Sequence, residues 1–399
     1  MTPTPSLKRA FFTLSGLAML SPLAFDMLLP AVGDMARSLN TSVGQVMIAW
    51  GILSVGSGIG QIIHGPISDR YGRKPVIILG LLLYILSAGI GPFVSSVEQL
   101  FVLRFFQGIA VAATMIIMRA IVRDLFDVKQ GAKLFGNLFA VLAVMPIVGP
   151  ILGGYLTTWF GWQAVFFCMA GVALVVLSII VFCLDESLQD KDIRAMTPKI
   201  LVTSFAKILS DQNFITFLMI GMGAYAGLFA VLAGISPVLS IVLKQPADIF
   251  GYQFAAIMIG HLIAATLATR IIDQLGIKKM ILLGTFVSVL GGGLFLALAL
   301  AKITTIYSVL IPAAIFLVGF ALTTPAMTAG ALSNFPHMTG RATSLLGFLQ
   351  QGTGAIVSIS LGMTVTDTQL PMAIAIAAGS LFSFATFITK ISDTTLKAD

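Results

Sequence analysis

Apolar stretches of about 20 residues recur along the whole chain, separated by short polar breaks. At 1.5 Å of rise per residue, each makes a helix of about 30 Å, the thickness of a bilayer's hydrocarbon core. The pattern predicts spans near 11–36, 43–64, 75–95, 98–122, 133–157 and 161–184, then near 212–240, 249–271, 279–301, 305–331, 342–366 and 370–389. The longest polar stretch, Asp185 to Asp211, lies between the two sets of six and carries Lys191, Arg194, Lys199 and Lys207. It divides the chain into an N-terminal bundle (1–184), a linker (185–211) and a C-terminal bundle (212–399).

Composition narrows the class. Of 399 residues, 58% are hydrophobic and 10% charged, against about 25% charged in soluble domains. Such a chain has too little polar surface to face water on all sides, so its solvent is the lipid bilayer. The net charge of +7 is spread over loops rather than gathered on a face, so no nucleic-acid partner is expected. Cys168 and Cys183 lie in one apolar run, about 22 Å apart on a helix and out of disulfide range. No Cys/His cluster has metal-ligand spacing, and no nucleophile sits near a base. Neither an enzyme, a metal nor a cofactor is expected.

Charge also orients the spans. Lys8 and Arg9 precede an apolar run longer than a signal peptide's core, which reads as an uncleaved first span. With the N-terminus inside, only Arg37, Lys244 and Lys302 fall outside, and Arg104 and Arg119 fall within the fourth span. The remaining Lys and Arg residues face the inner side, so both termini are expected in the cytoplasm.

The break Gly65-Pro66-Ile67-Ser68-Asp69-Arg70-Tyr71-Gly72-Arg73-Lys74-Pro75 packs four charges between two apolar runs and reads as a tight cytoplasmic loop. Asp273-Gln-Leu-Gly276-Ile-Lys278 echoes its Asp69-to-Lys74 portion 204 residues later. A repeat of this kind implies two related halves around a central cavity.

Charged groups inside spans are costly and are paired or functional. Asp26, followed by Pro30, and Arg104 fall at similar depths in the outer half of the bilayer. Two readings stand: a structural salt bridge, or a carboxyl that cycles protons, with burial opposing its charge and a nearby cation favouring it. Arg119, Arg123, Asp124 and Asp127 read as an ion-pair cluster near Asp69, and Asp34 as a partner of Arg37. His261 reads as a helix-packing residue. In the fifth span, Pro146, Gly149, Pro150, Gly153 and Gly154 predict a kinked, closely packed helix. Asn137, Tyr225, Phe229, Gln350 and Gln351 are candidate pocket residues.

Together these residues resemble the major facilitator superfamily, and within it the twelve-helix drug:proton antiporters. The 65–75 segment fits the superfamily's G-x-x-x-D-R-x-G-R-K pattern. Phe101-x-x-Arg104-x-x-Gln107-Gly108-x-Ala110 looks like the fourth-span motif whose arginine is implicated in proton coupling. Gly149-Pro150-x-x-Gly153-Gly154 looks like the antiporter motif of the fifth span. Asp26-Met-Leu-Leu-Pro30 and Arg119-Ala-Ile-Val-Arg123-Asp124 resemble the bicyclomycin-resistance and chloramphenicol/florfenicol exporter subfamily. Met145 departs from a usual glycine, and Leu28 from a frequent tyrosine. The resemblance implies an all-α fold of two six-helix bundles, probing each side of a bacterial cytoplasmic membrane in turn. It implies a monomeric exporter of small amphipathic compounds, driven by protons without a cofactor. Asp26 and Arg104 would couple protons. Gly65, Asp69, Arg70, Gly72, Arg73, Arg119 and Asp124 would latch the inner side, and the fifth-span motif would act as hinge. The rival cargo is an endogenous metabolite or siderophore. The rival class is a receptor or assembly subunit that transports nothing.

Overall fold

The computed structural model describes residues 6–192, 195–365 and 367–391, without the side chains of Val128 and Ile391. Arg194 of the linker lies outside them. Among the described residues the structure is helical, with no strand. In the first half, α1 (Leu7–Asp26) passes through a 3-10 turn at Leu29–Ala31 into the short α2 (Val32–Ser38). There follow α3 (Val43–Tyr71), α4 (Arg73–Ile90), α5 (Val97–Leu125), α6 (Val128–Phe160) and α7 (Trp162–Cys183). After the linker's α8 (Pro198–Leu209), the second half comprises α9 (Gln212–Pro237), α10 (Ala247–Leu300), α11 (Ile306–Leu332), α12 (Thr339–Met363) and α13 (Leu370–Ile391).

Among the described residues, eleven continuous helical segments are long and apolar enough to cross a membrane. One of them, α10, has 54 residues and would run about 80 Å, more than twice a bilayer core. It is interrupted at Gly276, whose φ of 72° and ψ of 165° are not helical. Two spans therefore meet there, making twelve as the hydropathy pattern predicts. An even number of crossings puts both termini at one end of the molecule, here called the terminal end.

The expected loop at 65–75 is almost entirely helix. α3 continues to Tyr71 and α4 starts at Arg73, so Gly72 alone makes the turn, with φ 109° and ψ 158°. Pro66 lies inside α3 without ending it; membrane helices tolerate proline where neighbouring groups satisfy the freed backbone. Gly276 makes the matching turn in α10, so the echo between the halves is one of backbone geometry as well as sequence. Both glycines occupy a region of φ/ψ that side chains all but forbid.

The linker is not featureless either. Pro198 opens α8, as suits a first helical position. α8 buries Ser204 and Ile208 and exposes Lys199, Val202 and Lys207. Within the first half α3 packs on α5, α1 on α6 and α4 on α7; in the second, α10 packs on α11 and α9 on α13. The halves meet along two seams, α3 against α12 and α6 against α10. Large apolar side chains such as Phe93, Phe167, Phe182 and Ile356 stay exposed around the outside, a surface that lipid solvates.

Candidate functional site

Pro30 has no N–H to continue the helix of α1, which ends at Asp26 and restarts as α2. A broken buried helix leaves backbone carbonyls without partners. Two side chains fill that need. Arg104 of α5, fully buried, donates through Nη1 to the Ala24 carbonyl at 3.0 Å and to Gln107 Oε1 at 2.7 Å. Trp50 of α3 donates through Nε1 to the Phe25 carbonyl at 2.7 Å. The guanidinium carbon also sits 4.7 Å from the centre of the Trp50 ring, a cation–π contact. Arg104 Nε and Nη2 find no hydrogen-bond partner.

Asp26 is buried beside this knot, and no ion pair joins it to Arg104. The salt-bridge reading therefore fails in this conformation. The arginine instead engages the backbone two residues before the carboxyl, at the Ala24 carbonyl that the helix break frees. Arg104 thus holds the helix end that carries Asp26.

The fifth-span motif meets this helix end directly. A Cβ on Gly153 would collide with the Met27 carbonyl, and Gly149 faces Met27 and the Asp26 side chain. One residue on, Gly154 faces the other half: a Cβ there would lie 2.5 Å from the Ala247 carbonyl of α10. Gly251 of α10 packs equally closely on Pro150 and Ile151. With Pro146 and Pro150 inside it, α6 touches the Asp26 segment with one face and the opposite half with the next.

The two ends of the inter-half seam differ. At the end remote from the termini, Gly44 of α3 meets the backbone of Gly362 of α12. Phe25 stacks edge-on to Phe229 at 6.1 Å, Ser236 donates to the Leu29 carbonyl at 2.8 Å, and the Tyr155 and Tyr252 hydroxyls lie 2.5 Å apart. Toward the terminal end the seam parts. Gln61 still presses on Gly347, but a Cβ on Gly65 would meet only Ser344 Oγ, at 3.9 Å. There a cavity of about 610 Å³ opens between the halves, within the range of small-molecule sites. Its walls include Ile62, Ile116, Phe135, Leu201, Phe205 and Met338.

Ion pairs gather beside the mouth. Arg73 is 3% exposed and donates to Asp69 at 2.5 Å, to Asp124 at 2.8 Å and to Ser68 at 2.7 Å. All of these residues belong to the first half, so the cluster bridges α3, α4 and α5 without crossing to the second. Arg70 instead lies over the Tyr71 ring. Asp34 pairs with Arg37, as their spacing predicts. Arg119, expected in the cluster, stands apart: among the described residues no hydrogen bond or ion pair reaches it, and it lines the cavity. Arg119 and Arg123 share a helix face four residues apart, whereas Asp124 turns about 100° away, toward Arg73.

A partner that sequence reasoning missed is Glu186, at the start of the linker. Its carboxylate accepts from the backbone N–H groups of Arg73 (2.9 Å) and Lys74 (3.2 Å), capping α4. It comes from 113 residues away, beyond any local signal.

The expected pocket residues are dispersed. Gln351 donates to Ser57 across the seam at 3.3 Å, Gln350 faces the Met327 sulfur, and Phe229 is part of the closed end. Tyr225 stacks on Phe320, His261 lies against that same ring, and Asn137 is exposed on α6. None of these lines the cavity, and neither does Asp26. A direct contest between proton and cargo for the Asp26 carboxylate is therefore not what this arrangement provides. The sequence pattern that defines the Asp69–Arg73 turn also could not announce Phe205, Arg341 or His337, which reach the cavity from the linker and the second half.

Comparison with known proteins places the chain. The sequence pattern of the Major Facilitator Superfamily matches residues 14–359. The chain is 29% identical over 360 residues to a bicyclomycin resistance protein homolog of Haemophilus influenzae, covering 90% of each. It is 27% identical over 340 residues to multidrug resistance protein D of Escherichia coli, covering 85% of this chain and 84% of that one. The xylose transporter XylE of E. coli, in a partially occluded inward-open conformation, superposes with a TM-score of 0.69 at 16% identity, covering 98% of this chain and 99% of that one.

Proposed function

From the premise that the chain belongs to the Major Facilitator Superfamily and is a multi-pass membrane transporter, we propose that it is a proton-coupled antiporter exporting small amphipathic compounds. The terminal end faces the cytoplasm in this reading, and the membrane is the bacterial cytoplasmic one. Relatives named for multidrug and bicyclomycin resistance support the class of cargo. One observation carries the coupling. The buried Asp26 lies at a helix break that α6 touches on one face while its neighbouring face seals the seam to α10.

In the inward-open state cargo enters the cavity from the cytoplasm. Closing the terminal end and parting the remote end require α6 to move against α10 or against the Met27 segment. Protonation of Asp26 removes a charge from that contact, so α6 packs differently on the neutral and the ionised forms. Each form then favours a different end being open, and a ligand or proton shifts the balance only through such differential contacts. A proton taken up from outside and released inside drives the cycle without sharing a site with the cargo. Arg104 and Trp50 keep the break rigid, and the Asp69–Arg73–Asp124 cluster is the surface that α12 meets when the terminal end closes.

Transport in proteoliposomes with an imposed pH gradient tests this reading. Asp26→Asn is expected to abolish gradient-driven export while leaving exchange of cargo down its own gradient. Export that still responds to the pH gradient in that variant would show the coupling lies elsewhere.

A further inference from the structure

The charges around the cavity do not cancel. Four of them form a balanced group: Arg73 and Arg123 against Asp69 and Asp124. Asp69 is the cavity's only carboxylate among the described residues, and it is already held by Arg73. Two guanidinium groups remain, Arg119 from α5 in the first half and Arg341 from α12 in the second. Arg341 donates to the Ser204 hydroxyl at 2.9 Å, a neutral partner. Arg119 has no hydrogen bond or ion pair among the described residues. His337 adds a third nitrogen base at the mouth.

An arginine stays charged under all ordinary conditions. One held at membrane depth without a counter-ion is costly, and such residues mark the path of a ligand. Here two of them face one cavity from opposite halves, between walls of Ile62, Ile116, Phe135 and Phe205. We infer that the cavity takes a small organic anion, a carboxylate, sulfonate or phosphate on an apolar body, held between Arg119 and Arg341. The planar guanidinium fork matches such groups with paired hydrogen bonds. An anion seated between the halves also draws them together, which is the movement that closes the terminal end. This inference rests on the transport reading for its biological sense, since it names that transporter's cargo class.

Three naphthalene probes of one size separate the possibilities: 2-naphthoate, 2-naphthamide and 2-naphthylmethylammonium, titrated calorimetrically into the full chain in phospholipid-free detergent. Naphthoate is expected to bind at least about tenfold more tightly than the other two, and Arg119→Gln to remove about that factor. Arg341→Gln is expected to weaken naphthoate by a smaller factor, and Arg119→Lys to retain part of the affinity. Should Arg119→Gln fail to stay monodisperse, the Lys variant and Arg341→Gln decide. Equal binding of the three probes, preference for the ammonium, or naphthoate affinity indifferent to these variants overturns the inference. So does displacement of naphthoate by phosphatidylglycerol in nanodiscs, which would assign the site to a lipid headgroup. Proton-driven export of the same probes is scored separately. Export of the ammonium without naphthoate binding sinks the anion assignment and leaves the antiporter. Arg119-dependent naphthoate binding without export of any probe does the reverse.

Discussion

The two halves turn on the same glycine and bury different chemistry. Gly72 and Gly276 hold matching positive-φ turns 204 residues apart. In the first half that turn is flanked by a buried arginine with two carboxylate partners, and a second buried arginine grips a broken helix above it. In the second half a Cβ on the turn glycine would meet nothing within 4 Å, and the buried polar groups are neutral ones such as Thr285, Ser288 and Gln350, with His261 against the Leu317 carbonyl at 3.2 Å and the Phe320 ring. The difference teaches that pseudo-symmetry is a property of the backbone path here. Among the described residues the buried charged groups Asp26, Arg73 and Arg104 are concentrated in one half, and in the proposed cycle the other half supplies the surface they work against.

The largest expected effect tests that asymmetry directly. Arg104→Met keeps an unbranched chain of similar reach but loses both hydrogen bonds and the charge over Trp50. Proton-driven transport is expected to fall by more than about tenfold, since one lost charge-assisted bond alone is worth about 1.5–3 kcal/mol. Folding is expected to suffer much less. The change leaves the Ala24 carbonyl and Gln107 Oε1 unpaired, but it also removes a buried guanidinium with two unpaired nitrogens, which is itself expensive. His261→Met in the second half is expected to change transport by less than about twofold, as one neutral hydrogen bond is lost and methionine can still pack on the Phe320 ring. Equal losses in the two variants would mean that the coupling chemistry is shared between the halves.

The turn glycines give a smaller and more even contrast. Alanine at either position must adopt a backbone conformation costing about 1–3 kcal/mol. At Gly276 the new methyl has open space, whereas at Gly72 it runs into the Glu186 carboxylate. Gly72→Ala is therefore expected to lower the thermal unfolding midpoint in detergent further than Gly276→Ala. A reversed order would show that the carboxylate yields freely and that the first turn is no more constrained than the second.

What could be read from the chain follows from range. Twelve spans and the paired turns rest on local signals, hydropathy over about 20 residues and a glycine between charged neighbours. The α6 motif was legible as a close-packing helix, but not that Gly153 faces Met27 while Gly154 faces Ala247. That depends on which helices neighbour it. Arg119 was misplaced for a related reason. Adjacency in sequence to Arg123 and Asp124 hides the turn of a helix, which sends Asp124 to Arg73 and leaves Arg119 facing the cavity. The cavity itself is built from α3, α4, α5, α6, α8, α12 and the segment that leads into α12, so no single window of sequence contains it.

Glu186 offers the finest cut, because its carboxylate caps the α4 start beside Gly72, whereas a Cβ at Gly276 would meet nothing within 4 Å. Glu186→Gln keeps an oxygen to accept from Arg73 N–H but removes the negative charge at a helix N-terminus. The expected cost is about 0.3–1 kcal/mol, shrinking as salt is raised because the charge is partly solvated. Glu186→Ala loses the same charge and also the acceptor, and is expected to cost about 1 kcal/mol more, an increment that salt does not change. Unfolding midpoints of the two variants at low and high salt separate these contributions. If Gln and Ala cost the same at both salt levels, the hydrogen bonds contribute nothing net. The first turn would then be held by its ion pairs alone, and the cap would add nothing to what Arg73 and its two carboxylate partners already fix.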